Sequence, residues 1–194
     1  MSAPLFDVAE LAARYRECPA RYNLVTALTV FQGLRVREAL GPERRHVIVE
    51  RVPLSADGYG PEDLKISVRV EDNDQRINGE MVSMGSLKAG AGVWTVPLFR
   101  VFYPDVLECL ETFVGPKVED LLTITRTGKY VLGTSYRTVL SGMRNRAGIV
   151  KRVHAHAGRH LVTTALVEQG VEPHVVGGVF LYRLSTPWVS LLGV

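Results

Sequence analysis

The sequence has little of what small secreted, membrane or metal-stapled proteins rely on. Its 194 residues contain two cysteines, Cys18 and Cys109, with no Cys-X-X-Cys spacing. That excludes a disulfide framework and reads as buried, reduced thiols of an intracellular protein. No apolar run approaches the ~20 residues needed to span a bilayer. Met1 to Val8 lacks a basic stretch followed by an apolar one, so no secretory signal is expected. Net charge is also scarce: 23 Lys and Arg against 20 Asp and Glu leave +3, which permits a polyanionic partner without demanding one. What is present, 46% hydrophobic and 22% charged residues, is an ordinary globular balance and excludes a disordered or collagen-like chain. The length predicts one domain able to bury a core without staples.

Charge is informative in its distribution. From Arg126 to Arg159 the chain carries Arg126, Lys129, Arg137, Arg144, Arg146, Lys151, Arg152 and Arg159 with no Asp or Glu between them. Thr134, Ser135, Tyr130, Tyr136 and Asn145 are interleaved, all residue types that can donate to phosphate oxygens. A run of like charge is commonly just a solvated face; this one reads in favour of a polyanion. The acidic counterweight lies in Glu71-Asp72-Asn73-Asp74 and between Glu108 and Asp120.

Asp7 is placed to cap a helix through Val8, Leu11, Ala12 and Tyr15 that Pro19 ends. Leu24, Leu28, Phe31 and Arg35, with Val25, Ala27, Val30 and Leu34, predict one central helix over 22–40, stopped by Gly41-Pro42. Val47-Ile48-Val49 and the alternation Ile66, Val68, Val70 predict strands. Residues 81–87 and 93–96, flanking Gly90-Ala91-Gly92, read as a hairpin with Lys88 at its tip. Further helices are predicted over 105–114, 135–147 and 156–168. There is no internal repeat and no low-complexity linker. The expectation is α+β, mainly α: one compact helical domain with a small antiparallel sheet inserted early.

Three features bear chemistry. Gly33-Leu34-Arg35-Val36-Arg37-Glu38 puts an arginine at the end of an apolar helix, with Glu38 three residues on and able to hold it; a structural ion pair is the plainer reading. Lys88 sits on a glycine-flanked turn, where most lysines are merely solvated. His156-Ala157-Gly158-Arg159-His160 opens a helix whose first turn suits an anion. His156 and His160 have the i, i+4 spacing of a zinc helix. Ala157 stands where a zinc protease needs glutamate, and His154 and His174 complete no ligand set, so no metal is expected.

In this order, GLRxxE, a lysine ahead of Val96-Pro97-Leu98, and HxxRH, the chain resembles the catalytic domain of the tyrosine recombinases, the phage-integrase family, up to about Gly170. Pro19-Ala20-Arg21-Tyr22 and Ala147-Gly148-Ile149 add to the likeness. The resemblance implies the recombinase catalytic-domain fold, a helical bundle with a small antiparallel sheet. It implies DNA cleavage by a tyrosine that leaves a 3′-phosphotyrosyl bond and a free 5′-hydroxyl, without metal or cofactor. By that likeness Arg35 and Arg159 would clamp the non-bridging oxygens, whose charge grows in the transition state. Lys88 would protonate the leaving oxygen and His156 would help move the nucleophile's proton. Glu38 and His160 would support them. Arg137, Arg144, Arg146, Lys151 and Arg152 would contact double-stranded DNA, with self-association on it, in the cytoplasm at the nucleoid.

The C-terminal segment, 171–194, departs from the pattern that 1–170 follows. Tyr182, the last tyrosine, follows Arg159 at the distance where the family places its second His or Trp. The expected nucleophile slot near Leu191 holds no tyrosine, and Pro173 and Pro187 interrupt the helices due there. Residues 53–61 and 71–79 read as inserted loops, and the 194 residues leave no room for the N-terminal domain that usually completes the family's DNA clamp, as expected of either a fragment or a minimal relative. Two functions stay open: a site-specific recombinase or integrase using Tyr182, truncated or impaired, and a DNA-binding remnant that does not cleave.

Overall fold

The computed structural model describes residues 8–53, 62–71, 74–77, 80–83 and 93–150. The first helix, α1 (Val8–Arg16), ends three residues before Pro19 and is followed by a 3-10 turn, Ala20–Tyr22. The expected single helix over 22–40 is broken into three pieces: α2 (Asn23–Thr26), a π-helical segment (Ala27–Phe31) and α3 (Val36–Leu40). The break has two local causes. The Gln32 N–H reaches back to the Ala27 carbonyl (3.0 Å) and the Leu34 N–H to Leu28 (2.9 Å), which widens the coil. Gly33 then takes φ 71°, a left-handed backbone that only glycine adopts cheaply.

Strands β1 (Val47–Pro53), β2 (Glu62–Val70) and β5 (Trp94–Pro97) form an antiparallel sheet in the order β1-β2-β5. The alternation read in β2 is real: Ile66, Val68 and Val70 are buried while Lys65 and Arg69 are exposed. Each such apolar side chain contributes roughly 1.5–3 kcal/mol of burial. Among the described residues, 81–83 and 93–96 do not pair with each other as the expected hairpin would require. Instead β3 (Asp74–Ile77) pairs with β4 (Glu80–Ser83) as a separate ribbon, and β5 pairs with β2, Val70 opposite Trp94. One expected sheet is therefore two, and the expected loop over 71–79 contains a strand. A strand in a three-stranded sheet with a buried face gains more than one in an isolated ribbon, and Val96, on the same face as Val68, packs against the core.

Helices α4 (Tyr103–Thr112) and α5 (Gly133–Arg146) complete the described fold. Pro104 opens α4 as expected, and Gly148 (φ 67°) lies just beyond α5. The core joins α2, the π segment, the inner face of β2, and Val106, Cys109, Leu140 and Met143 from the last two helices. Among the described residues, no helix is long and apolar enough to cross a membrane.

Candidate active site

Arg35 owes its position to the break rather than to a helix. It is the N-cap of α3 with extended backbone (φ −65°, ψ 148°). The buried carboxylate of Glu38 holds it twice: the Arg35 backbone N–H donates to Oε2 and Nη1 donates to Oε1, each at 2.7 Å. The pair is thus the acidic half of a capping box, not two side chains on one helical face. Burial is also opposite to expectation. Glu38 is the enclosed partner, and the Arg35 side chain is 46% exposed. A guanidinium fixed from behind by a carboxylate, with its remaining donors toward solvent, suits an incoming anion.

The π segment fixes where that cap begins. Thr29, inside it, shares a 2.7 Å hydrogen bond with the Tyr136 hydroxyl of α5, and Tyr136 also donates to Thr26 at 3.1 Å. Phe31, its last residue, packs edge-on to Tyr15 and against Phe102, centroids 5.4 and 5.1 Å apart. Gln32 then donates to the Pro97 carbonyl at the end of β5. Tyr136 is fully buried and its phenol is pushed above its ordinary pKa by desolvation. It therefore cannot serve as one of the phosphate donors read from the basic segment.

The start of α5 adjoins α3: a β-carbon placed on Gly133 would lie 3.6 Å from Val36 Cγ1. Along α5, Arg137 and Arg144 are seven residues apart, about two turns, and share one stripe. Thr134, Thr138, Ser141 and Asn145 lie on it or beside it, exposed, with no acidic residue among them. Arg146 projects about 160° away around the helix. Its guanidinium donates to the Glu17 carbonyl at 2.7 Å and lies 3.6 Å from the Glu17 carboxylate, bracing α5 to the end of α1. Arg37, not singled out from the sequence, lies near Tyr130. Burial raises that phenol's pKa while the Arg37 charge opposes the rise. The i, i+3, i+4, i+7 spacing around Arg137 would have found the stripe; nothing in the sequence marks Arg37's neighbour.

This architecture is matched by solved proteins. The XerA recombinase superposes with a TM-score of 0.65 at 13% identity, covering 92% of this chain and 54% of that one. The XerH site-specific recombinase bound to difH substrate gives 0.64 at 18%, covering 92% and 47%. The Tn1549 transposon integrase in complex with transposon right end DNA gives 0.68 at 14%, covering 100% and 65%. The chain has the tyrosine-recombinase catalytic-domain fold. It spans about half to two thirds of the length of those recombinases. No protein-family model and no curated protein matches the sequence.

Arg35 and Glu38 meet, as their three-residue spacing allows. Lys88, His156, Arg159, His160, Tyr182, Lys151 and Arg152 lie outside the described residues, as does the expected helix over 156–168. The connection that carries Lys88 leaves β2 at Val70 and returns at its paired neighbour Trp94. Its first residue, Glu71, lies 3.4 Å from His46 Nε2, and His46 Nδ1 accepts from the Glu43 N–H. Among the described residues no group of His, Cys, Asp or Glu could hold a metal ion.

Proposed function

We propose that this chain is the DNA-cleaving unit of a site-specific recombinase or integrase. The observation that carries the reading is Arg35 held by buried Glu38 at a helix cap, its guanidinium half-exposed, within a recombinase fold. In the proposed reaction a tyrosine hydroxyl attacks the phosphorus of a DNA strand. The bond to the 5′ oxygen breaks, and a 3′-phosphotyrosyl ester forms. Arg35 and Arg159 stabilise the added negative charge on the non-bridging oxygens, Lys88 supplies the proton to the leaving 5′ oxygen, and His156 takes the proton from the nucleophile. His160 supports this set. Attack by another strand's 5′-hydroxyl reverses the step and restores the tyrosine, so no cofactor is consumed.

The double-stranded DNA partner is supported by the α5 stripe of Arg137 and Arg144, by Lys151 and Arg152 beyond it, and by the absence of acid from Arg126 to Arg159. Arg146 reaches DNA in this reading only by leaving Glu17. The XerH and Tn1549 proteins carry DNA in their solved complexes. Residues 1–170 form the catalytic unit and 171–194 replace the usual nucleophile region, self-association occurs on DNA, and the site of action is the nucleoid.

A second reading is favoured by the position of Tyr182, which stands short of the family's nucleophile slot: a fold that grips DNA without cutting it. A nicked suicide substrate separates the two. Cleavage predicts a covalent protein–DNA adduct, lost in Tyr182→Phe. Binding with a steep salt dependence but no adduct in either protein selects the remnant and overturns the enzyme reading.

A further inference from the structure

A tight turn precedes α5, apart from the Arg137–Arg144 stripe. Ile124 and Tyr130 form an antiparallel bridge that closes it. Inside, the Thr125 N–H donates to the Lys129 carbonyl (2.7 Å), the Gly128 N–H to the Thr125 carbonyl (3.0 Å), and the Lys129 N–H to Thr125 Oγ1 (2.9 Å). Gly128 supplies the left-handed φ of 75° that this tight return needs. From outside, Arg21 Nη1 donates to the Thr125 carbonyl at 3.1 Å, and the same guanidinium lies 5.0 Å over the Phe113 ring. The turn is therefore held at every corner, yet Arg126, Thr127, Gly128 and Lys129 are all exposed. No carboxylate among the described residues pairs with Arg126 or Lys129. Two unpaired cations on a rigid support lose little conformational freedom on meeting a polyanion, which is the condition for strong phosphate contact.

We infer that residues 125–129 form a preorganised clamp for the phosphate backbone of duplex DNA, with Arg126 and Lys129 as the contacts and Arg21 as the positioning residue. The inference rests on the DNA-binding reading above and adds to it a contact that is separate from α5 and blind to base sequence. At the tip, the exposed Thr127 hydroxyl shares a 3.1 Å hydrogen bond with Thr125 Oγ1. Arg37 of α3 lies close enough to Tyr130, at the end of the turn, for its charge to act on that phenol.

The test is fluorescence anisotropy of the full chain on a labelled duplex over a salt series. Each phosphate contact contributes about 0.9 to the slope of log affinity against log salt. The Arg126→Gln/Lys129→Gln variant is therefore expected to bind with a slope shallower by about 1.8, and one to two orders of magnitude more weakly near ~0.1 M salt. The loss is expected to be equal on unrelated DNA sequences. Lys117→Gln, an exposed cation on the acid-rich turn, is expected to change nothing. A double variant with the wild-type slope, or an equal loss in Lys117→Gln, overturns the clamp. Wild-type protein with no salt-dependent binding overturns the DNA reading itself, a different result. Arg21→Lys keeps its charge but loses its fork and ring contact. It is expected to weaken binding several-fold at unchanged slope; wild-type affinity in that variant removes Arg21 from the proposal.

Discussion

Two arginines in this domain live under opposite conditions. Arg14, on α1, is 2% exposed; its Nη2 donates to the Leu140 carbonyl of α5 at 2.6 Å, while Nε and Nη1 have no hydrogen-bond partner among the described residues. Arg35, at the cap of α3, is about half exposed and is gripped by a carboxylate. Desolvation works against the Arg14 charge and pulls its pKa below the ordinary arginine value. The buried cation is thus a brace between helices, and the exposed one is equipped for an external anion. Under the proposed function, burial alone is a poor guide to which arginine acts, and a buried carboxylate behind an exposed guanidinium is the better sign.

The contrast can be broken experimentally. Its largest consequence is for Arg35. In an active protein, Arg35→Ala is expected to lower strand cleavage by about 10²–10³-fold, as loss of one preorganised charge-stabilising donor does. Arg35→Lys is expected to recover little, because an ammonium cannot reproduce the fork. Adduct formation on a suicide substrate, read beside the melting temperature, measures both; normal cleavage in Arg35→Ala would remove it from the site.

Arg14 should show the reverse. Arg14→Ala leaves a cavity and is expected to cost about 2–4 kcal/mol in urea unfolding, with DNA affinity of the folded protein unchanged. Arg14→Met fills the space without a buried charge and is expected to restore most of that stability. An alanine variant as stable as wild type would erase the difference between the two arginines.

Tyr136→Phe probes the link between α5 and the broken central helix, since its hydroxyl joins α5 to Thr26 and Thr29. The expected cost is about 1–2 kcal/mol, because the threonine hydroxyls lose a buried partner. The last effect, absent at neutral pH, concerns the thiols. Burial raises Cys18 and Cys109 from an ordinary 9.0 to about 11. The folded state keeps these protons where the unfolded chain sheds them. Their contribution is complete below pH 9, declines as pH rises towards 11, and is gone above it. The urea midpoint should fall across that window, and less so in a Cys18→Ala/Cys109→Ala variant.

Much of this was legible in order along the chain. Ile66, Val68 and Val70 announce a half-buried strand because strand side chains alternate, whatever they pair with. The GLRxxE motif announces Arg35 and Glu38 as a pair because three residues separate them. What it does not announce is the geometry: apolar spacing continues through residues 28–35, so a helix is the natural reading until Gly33 turns left-handed. Arg14 follows Leu11 by three residues on the same face of α1, so its burial was written in the spacing but masked by its charge. The pairing of β5 with β2 was hidden for a different reason. Local turn signals favour the nearest partner, whereas the buried sheet face rewards a distant one.

The sequence by itself determined the residue types and their order: the motif arginine and its glutamate, the alternating strand, the acid-free basic stretch. These depend on neighbours within a few positions, where backbone geometry is nearly independent of the rest of the chain. Only the tertiary structure decided that Arg35 caps a helix, that Tyr136 is buried between threonines, and that Arg146 turns towards Glu17 instead of joining Arg137. Each of those outcomes depends on which distant surface excludes water from the side chain, and that is known only once the chain has closed on itself.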